Sequence, residues 1–382
     1  MKKFLAPLAL CALVAAAPAQ TLPAPEIAAR GFVLVDLSAH QVLAERDTGT
    51  TLDPGSFTKL MTGYLACVAL RDGKLKPAQA LPVSARAWDE RKGGGPLMFV
   101  DPKSSPTVDE LLQGLVVDSG DDAAVVLAEG VAGSVEAFVD MMNRQAQAWG
   151  LKDTSFRNVT GRPQPGHRST VHDLAVIAEH VVRDFPVQYR LYGQQAFEFN
   201  HVRQESGNLL LARDPSVDGL KTAYTDAAGY GMVASAQREF PNGQRRLLAI
   251  VTGTDSVQAR ANEAQKLMNW GFTAWDAIRL VEAGKAVATV PVWKGTQAQV
   301  GLGSADAVYV AVPKGEGDRL KTRIERTDPL VAPLAKGQQV GTLRIATSSG
   351  TAIAALPLTV LEPVPQAGLL GRAWDAVRLW IK

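Results

Sequence analysis

The run Asp53-Pro54-Gly55-Ser56-Phe57-Thr58-Lys59-Leu60-Met61-Thr62 sets a serine hydroxyl and a lysine amine three residues apart at the start of an apolar helix. Residues at that spacing share a helical face, so the lysine nitrogen can approach the serine oxygen. A serine is a poor nucleophile until a base takes its proton, and a lysine of lowered pKa can do so. Pro54 and Gly55 suit a sharp turn into the helix, which leaves backbone N–H groups free near the hydroxyl. Alone, the pair fits an ordinary exposed helix start better than a catalytic one.

Two further segments decide between these readings. Asp118-Ser119-Gly120-Asp121-Asp122-Ala123 leads into an apolar run, and Val217-Asp218-Gly219-Leu220-Lys221-Thr222-Ala223-Tyr224 follows much later. The order Ser-x-x-Lys, Ser-Gly-Asp, Lys-Thr-Ala resembles the three motifs of the penicillin-binding serine enzymes. Phe57-Thr58-Lys59-Leu60-Met61-Thr62 and Asp226-Ala227-Ala228-Gly229-Tyr230 narrow the resemblance to the low-molecular-mass D-alanyl-D-alanine carboxypeptidases. It runs from about Gly31 almost to the C-terminus.

The resemblance implies a chemistry for each motif. Ser56 would attack the carbonyl between the two D-alanines of a peptidoglycan stem peptide, with Lys59 as the base. Lys59 must be neutral to serve, so burial and a nearby cation, for which Lys221 is the candidate, would have to lower its pKa. Ser119 would relay the proton to the leaving amine. Lys221 and Thr222 would hold the terminal carboxylate, Asp121 would touch the substrate, and the backbone N–H groups of Ser56 and Tyr224 would form the oxyanion hole. β-Lactams would acylate Ser56, and no cofactor is implied.

Departures from the family pattern keep other readings open. Asp121 replaces a usual asparagine and, when ionised, can only accept hydrogen bonds. A carboxylate near Lys59 also favours the charged amine. Ala223 stands for a glycine that lets substrate backbone lie close, and Tyr224 for a common histidine. In Ser206-Gly207-Asn208, Gly207 takes the place of an arginine. The alternative is therefore a catalytically impaired homologue with a cell-wall binding or scaffolding role. A β-lactamase is the third reading. No Glu-x-x-x-Asn arrangement lies between Ser119 and Lys221, so slow deacylation is expected.

The ends of the chain read as an exported protein. Met1-Lys2-Lys3, the apolar stretch 4–16 and Ala17-Pro18-Ala19 form a signal peptide over residues 1–19. Removing it takes Cys11 and leaves Cys67, a small hydrophobe among Leu65, Val68 and Leu70, so no intramolecular disulfide can form. Forty Lys and Arg balance 38 Asp and Glu, which argues against a nucleic-acid partner. The five histidines have no metal-ligand spacing.

Hydrophobic periodicity gives a hairpin at residues 32–45, helices at 57–70, 108–117, 122–129, 134–149 and 170–183, strands at 230–237 and 245–253, and a helix at 256–274. The expected fold class is an α/β (α+β) penicillin-binding/serine β-lactamase-like domain over residues 25–276, a mixed sheet covered by helices. A β-rich domain follows at 278–365, with strand-like runs at 287–293, 307–312 and 338–346 and no nucleophile–base pair, hence a spacer or docking role. Residues 367–382 read as an amphipathic helix with Leu370, Trp374, Val377 and Ile381 on one face. Such a helix suits a membrane surface, and the whole is expected on the periplasmic side of the cytoplasmic membrane, peripherally anchored.

Overall fold

The computed structural model describes residues 22–241 and 243–380. The expected signal peptide, and Asn242, Ile381 and Lys382, lie outside the described residues. The chain forms two compact units, Pro23–Thr273 and Ala274–Lys382.

The first unit is built on a five-stranded sheet. Its strands are β1 (Gly31–Asp36), β2 (Gln41–Arg46), β3 (Val217–Thr225), β4 (Gly229–Phe240) and β5 (Gly243–Thr254), in the order β2-β1-β5-β4-β3. Every pairing is antiparallel, a narrower result than the mixed sheet expected, because β1/β2 is one hairpin and β3 to β5 form a meander. β1 and β5 pair Val33 with Ile250, which joins strands from opposite ends of the unit.

Helices fill both faces. Val33, Val233, Leu248 and Ile250 of the sheet belong to one core with α1 (Thr58–Arg71), α2 (Val108–Val116), α3 (Asp121–Ala132), α4 (Val135–Ala148) and α5 (Val171–Asp184). The opposite face places Leu34 and Leu247 under Gly271 of α6 (Val257–Ala274). The helix starts are written locally. Thr107 and Glu110 form a reciprocal capping box on α2, and the Ser134 and Thr170 side chains accept from backbone N–H groups of α4 and α5. After its two leading aspartates helix α3 is apolar from Ala123 to Ala128, and its first eight residues are buried, so it runs through the core and presents its N-terminus to the interior.

One ion pair joins β1 to β5 within the sheet, and its arginine also reaches α6. Arg245 Nε donates to Asp36 Oδ2 at 2.7 Å with both side chains essentially sealed from solvent, and Arg245 Nη1 donates to Gly271 O at 3.2 Å. The other oxygen, Asp36 Oδ1, accepts from the Ser38 and Ala39 N–H groups that turn the hairpin.

The second unit has a six-stranded sheet and a separate two-stranded ladder, Trp275–Val281 with Val308–Pro313. Leu302, Val312, Leu343 and Leu358 lie in its core. Sequence periodicity overlooks its strands Gln299–Gly303, Lys321–Arg326 and Ala352–Val360, and the small hairpin of Ala196–Phe199 with Val202–Glu205 in the first unit. These segments are charged, glycine-bearing or proline-bearing, and Lys321–Arg326 is an exposed edge strand with no apolar alternation to read.

Helix α7 (Leu369–Trp380) belongs to this unit. Its polar side is tied down: Asp375 accepts from the Lys294 N–H at 2.7 Å, and the Arg378 guanidinium lies 5.5 Å from the centre of the Trp293 ring. Leu370, Trp374 and Val377 remain exposed.

Removing one partner of a sealed ion pair leaves the other charge buried alone, which typically costs about 3–5 kcal/mol. Asp36→Ala is expected to lose stability on that scale in urea unfolding, while breaking an exposed pair such as Arg86 with Glu136 should leave the unfolding midpoint nearly unchanged in the same assay.

Candidate active site

Ser56 lies in the 3-10 turn Gly55–Phe57, which runs straight into α1. Gly55 has φ 51°, and a side chain on Gly161 would collide with the Gly55 carbonyl. The serine turn and the loop after Asn158 can therefore lie backbone to backbone only with glycine at both places. The Phe57 side chain is buried under the sheet, which fixes the turn against the core.

One turn later Lys59 is almost fully enclosed, its side chain 1% exposed. Its Nζ lies 2.7 Å from Asp121 Oδ1, 2.7 Å from the Thr160 carbonyl and 3.2 Å from Ser56 Oγ. A carboxylate and a carbonyl can only accept hydrogen bonds. A neutral Lys59 amine therefore donates its two protons to them and leaves its lone pair facing the one neighbour that has a proton to give, the Ser56 hydroxyl. That is the geometry of a base set against a nucleophile.

Burial pushes the Lys59 pKa below the ordinary lysine value, Asp121 pulls it back up, and Arg162 pushes it down again. Arg162, from the loop after α4, is thus a cation acting on Lys59 beside the expected Lys221, whose own pKa Lys59 lowers in turn. Asp121 is also placed differently from a substrate contact. Its side chain is 3% exposed, with Oδ1 on Lys59 and Oδ2 receiving Arg162 Nε at 3.1 Å. Sequence reasoning overlooks Arg162 because it sits in a Gly/Pro loop that reads as solvent-facing. The available signal was Asp121 itself, since a buried carboxylate calls for a cation.

The second motif crosses from α2 to α3. Ser119 has φ 63°, a region that non-glycine residues rarely occupy, and its Oγ is buried without a hydrogen-bond partner among the described residues. Asp122 holds the preceding loop by accepting from Met98 N and Val100 N at 2.8 and 3.0 Å. Asp118 is buried, with Oδ2 accepting from Gln204 Nε2 at 3.1 Å and no partner found for Oδ1 among the described residues. Burial raises its pKa to about 7 against the partial relief that Lys221 gives.

The third motif lies on β3, the edge strand of the sheet. Lys221 is buried and donates to the Leu115 and Val116 carbonyls at 3.0 and 3.1 Å, the orphan acceptors at the C-terminus of α2. Burial, then Lys59, hold its pKa well below the usual lysine value. Thr222 lies under Gly207, where any side chain would come within 2.9 Å of Thr222 Oγ1. Arg260 of α6 brings a guanidinium to the same place, donating to the Ala223 and Gly207 carbonyls at 3.1 and 3.2 Å. Ala223 shares the strand face of Lys221 and is buried in the core beside Gly55, so its methyl does not stand free over the strand. Tyr224 is half exposed, its hydroxyl donating to Asp226 at 2.8 Å.

A serine facing the lone pair of a buried lysine, with a second lysine on an edge strand, has the chemistry of serine acyl transfer. The chain belongs to the D-alanyl-D-alanine carboxypeptidase family, whose model matches residues 18–256. Residues 275–366 match the C-terminal domain of penicillin-binding protein 5. The D-alanyl-D-alanine carboxypeptidase DacC of Escherichia coli K12 is 38% identical over 375 residues, 97% of this chain and 92% of the relative. DacA of Haemophilus influenzae is 36% identical over 94% of this chain and 91% of its own length. The structure of penicillin-binding protein 5 from Haemophilus influenzae superposes with a TM-score of 0.85 at 35% identity, covering 90% of this chain and all of that one. Penicillin-binding protein D2 from Listeria monocytogenes, solved in an ampicillin-bound form, gives a TM-score of 0.59 at 26% identity over 66% of this chain and all of that one.

The Asp118 carboxyl yields a pH test. Its folded-state pKa of about 7 lies above the ordinary aspartate value, so the folded protein holds a proton that the unfolded chain releases. The associated stability is full below the lower value and is lost as pH rises through the upper one. Asp118→Asn removes this titration. Its melting temperature relative to the unaltered protein is expected to rise between pH 5 and pH 8, read by thermal scans across that range.

Proposed function

We propose that the protein removes the terminal D-alanine from peptidoglycan stem peptides through an acyl-enzyme on Ser56. The observation that carries this reading is the Lys59 amine, whose two acceptor-only partners leave its lone pair on Ser56 Oγ at 3.2 Å. In acylation Ser56 Oγ bonds to the carbonyl carbon between the D-alanines while its proton passes to Lys59. The tetrahedral oxyanion lies between the backbone N–H groups of Ser56 and Tyr224. The C–N bond then breaks, and Ser119, whose buried hydroxyl has no partner among the described residues, passes the proton to the departing amine. Lys221 and Thr222 hold the carboxylate of the leaving D-alanine. Water attacks the ester in the second half, with Lys59 again as base, and frees Ser56.

β-Lactams carry a strained amide where the D-alanyl bond would lie, so Ser56 is their target. The ampicillin-bound Listeria relative supports this. Incubation of the purified chain with benzylpenicillin should give one stable adduct by intact mass, absent from Ser56→Ala, and the unaltered protein should release D-alanine from a pentapeptide substrate. An unaltered protein with neither adduct nor release overturns the reading in favour of a wall-binding relative.

The same proposal places the protein outside the cytoplasm, held at the outer surface of the cytoplasmic membrane by α7. Among the described residues no helix is long and apolar enough to cross a membrane. Helix α7 keeps its polar side on its own unit and exposes Leu370, Trp374, Val377 and Trp380, a pattern suited to the interface. Removing residues 367–382 is expected to move the protein from vesicle-bound to free in sedimentation with anionic liposomes, leaving benzylpenicillin acylation unchanged.

A further inference from the structure

An aspartate against the catalytic amine presents a physical problem. The Asp121 carboxylate lies 2.7 Å from Lys59 Nζ in a nearly sealed site. Left alone it would hold the lysine as an ammonium and take away the lone pair that Ser56 needs. The chain meets this charge from behind. Arg162 Nε donates to the outer oxygen of Asp121, and Arg162 Nη2 reaches the Glu90 carbonyl at 2.9 Å and its carboxylate at 2.8 Å. The result is a line of alternating charge, Lys59, Asp121, Arg162, Glu90, leading from the base to the edge of the site.

The loop over this line is fitted to it. Gly93 ends the short turn Glu90–Gly93, and Gly94 and Gly95 follow it. A side chain on Gly93 would occupy the place of Arg162 Nη1, and one on Gly95 the place of Asp121 Oδ2. The glycine run is thus the space that the Arg162 and Asp121 side chains require, and the loop closes over the pair.

We propose that Arg162 is a positioning residue for acylation, holding the outer oxygen of Asp121 so that an aspartate can orient Lys59 without keeping it protonated. The proposal rests on the reading of Lys59 as the base for Ser56. The ionisable groups facing Lys59 are Asp121 and Arg162, with Glu90 beyond them, and Lys221 from β3, which in turn faces Asp118 and Arg260. Of these, Arg162 is the cation in contact with the Asp121 carboxylate, whereas Lys221 and Arg260 donate to backbone carbonyls. Its charge lowers the Lys59 pKa while that of Asp121 raises it, so removing Arg162 leaves Asp121 less opposed.

The test is the pH profile of benzylpenicillin acylation, from stopped-flow or timed intact mass, on the full chain. Arg162→Leu is expected to slow acylation at pH 7 by about 10- to 100-fold and to move the acid limb of the profile upward by about one pH unit or more. Adding Asp121→Asn should restore the rate to within about fivefold of the unaltered protein and return the limb, because the charge that Arg162 neutralised is gone. Arg162→Lys, which keeps the charge, should fall between the two. A slower Arg162→Leu with an unmoved limb, or no restoration by Asp121→Asn, makes Arg162 merely structural and overturns the proposal. Failure of the unaltered protein to acylate would instead remove the reading of Ser56 and Lys59 on which it rests. The Arg162 side chain is 36% exposed, which favours folding of its variants. If Arg162→Leu does not fold, Arg162→Gln serves in its place. It keeps a donor near Asp121 while removing the charge and should shift the limb the same way, and an unmoved limb there overturns the proposal.

Discussion

The amine of Lys59 is surrounded by oxygen, and the direction of its lone pair is set by which of those oxygens can give a proton. Asp121 and the Thr160 carbonyl cannot, and Ser56 can. These partners come from separate stretches of chain, the turn into α1, the N-terminus of α3 and the loop after Asn158. All must meet within hydrogen-bonding distance of one buried nitrogen. A core helix such as α3 supplies one of them because its apolar surface lets it run through the centre of the unit and end at the site. Glycines at positions 55 and 161 supply another by letting two backbones touch.

The second lysine is held by a different device. Lys221 takes the spare carbonyls at the C-terminus of α2, so the helix that precedes Ser119 also fixes the cation across from it. One connection, residues 117–120, therefore links the Lys221 clamp to the Ser119 and Asp121 side chains. The two lysines lower each other's affinity for a proton, and the acids between them work the other way. The site is best described as a balance among buried charges, with no single residue carrying its own properties independently.

Much of this was legible because the chemistry demands particular residue types at fixed spacing. Ser56, Lys59, Ser119 and Lys221 stand out on those grounds, and α4 and α5 stand out because Ser134 and Thr170 cap apolar helical patterns. What the sequence hid depends on contacts across distance. Arg162 meets Asp121 from 41 residues away, and Arg260 meets the Ala223 carbonyl from 37. Nothing local to either arginine marks it. The departures at Asp121 and Gly207 looked like losses when read singly, yet in three dimensions each has a guanidinium beside it. The exposed strand Lys321–Arg326 was hidden for the opposite reason, since an edge strand without a buried face leaves no alternation.

The edge position of β3 has one further consequence. Its first half is already covered, with Gly193 against the Asp218 carbonyl and Tyr189 and Tyr192 against Gly219, and Arg260 occupies the Ala223 carbonyl. What remains open is a short stretch around Thr222 and Tyr224. An incoming chain finds room there for the end of a peptide but not for a long ladder of backbone pairs. The same covering shortens the edge available to a docking chain and the edge on that side available to another sheet.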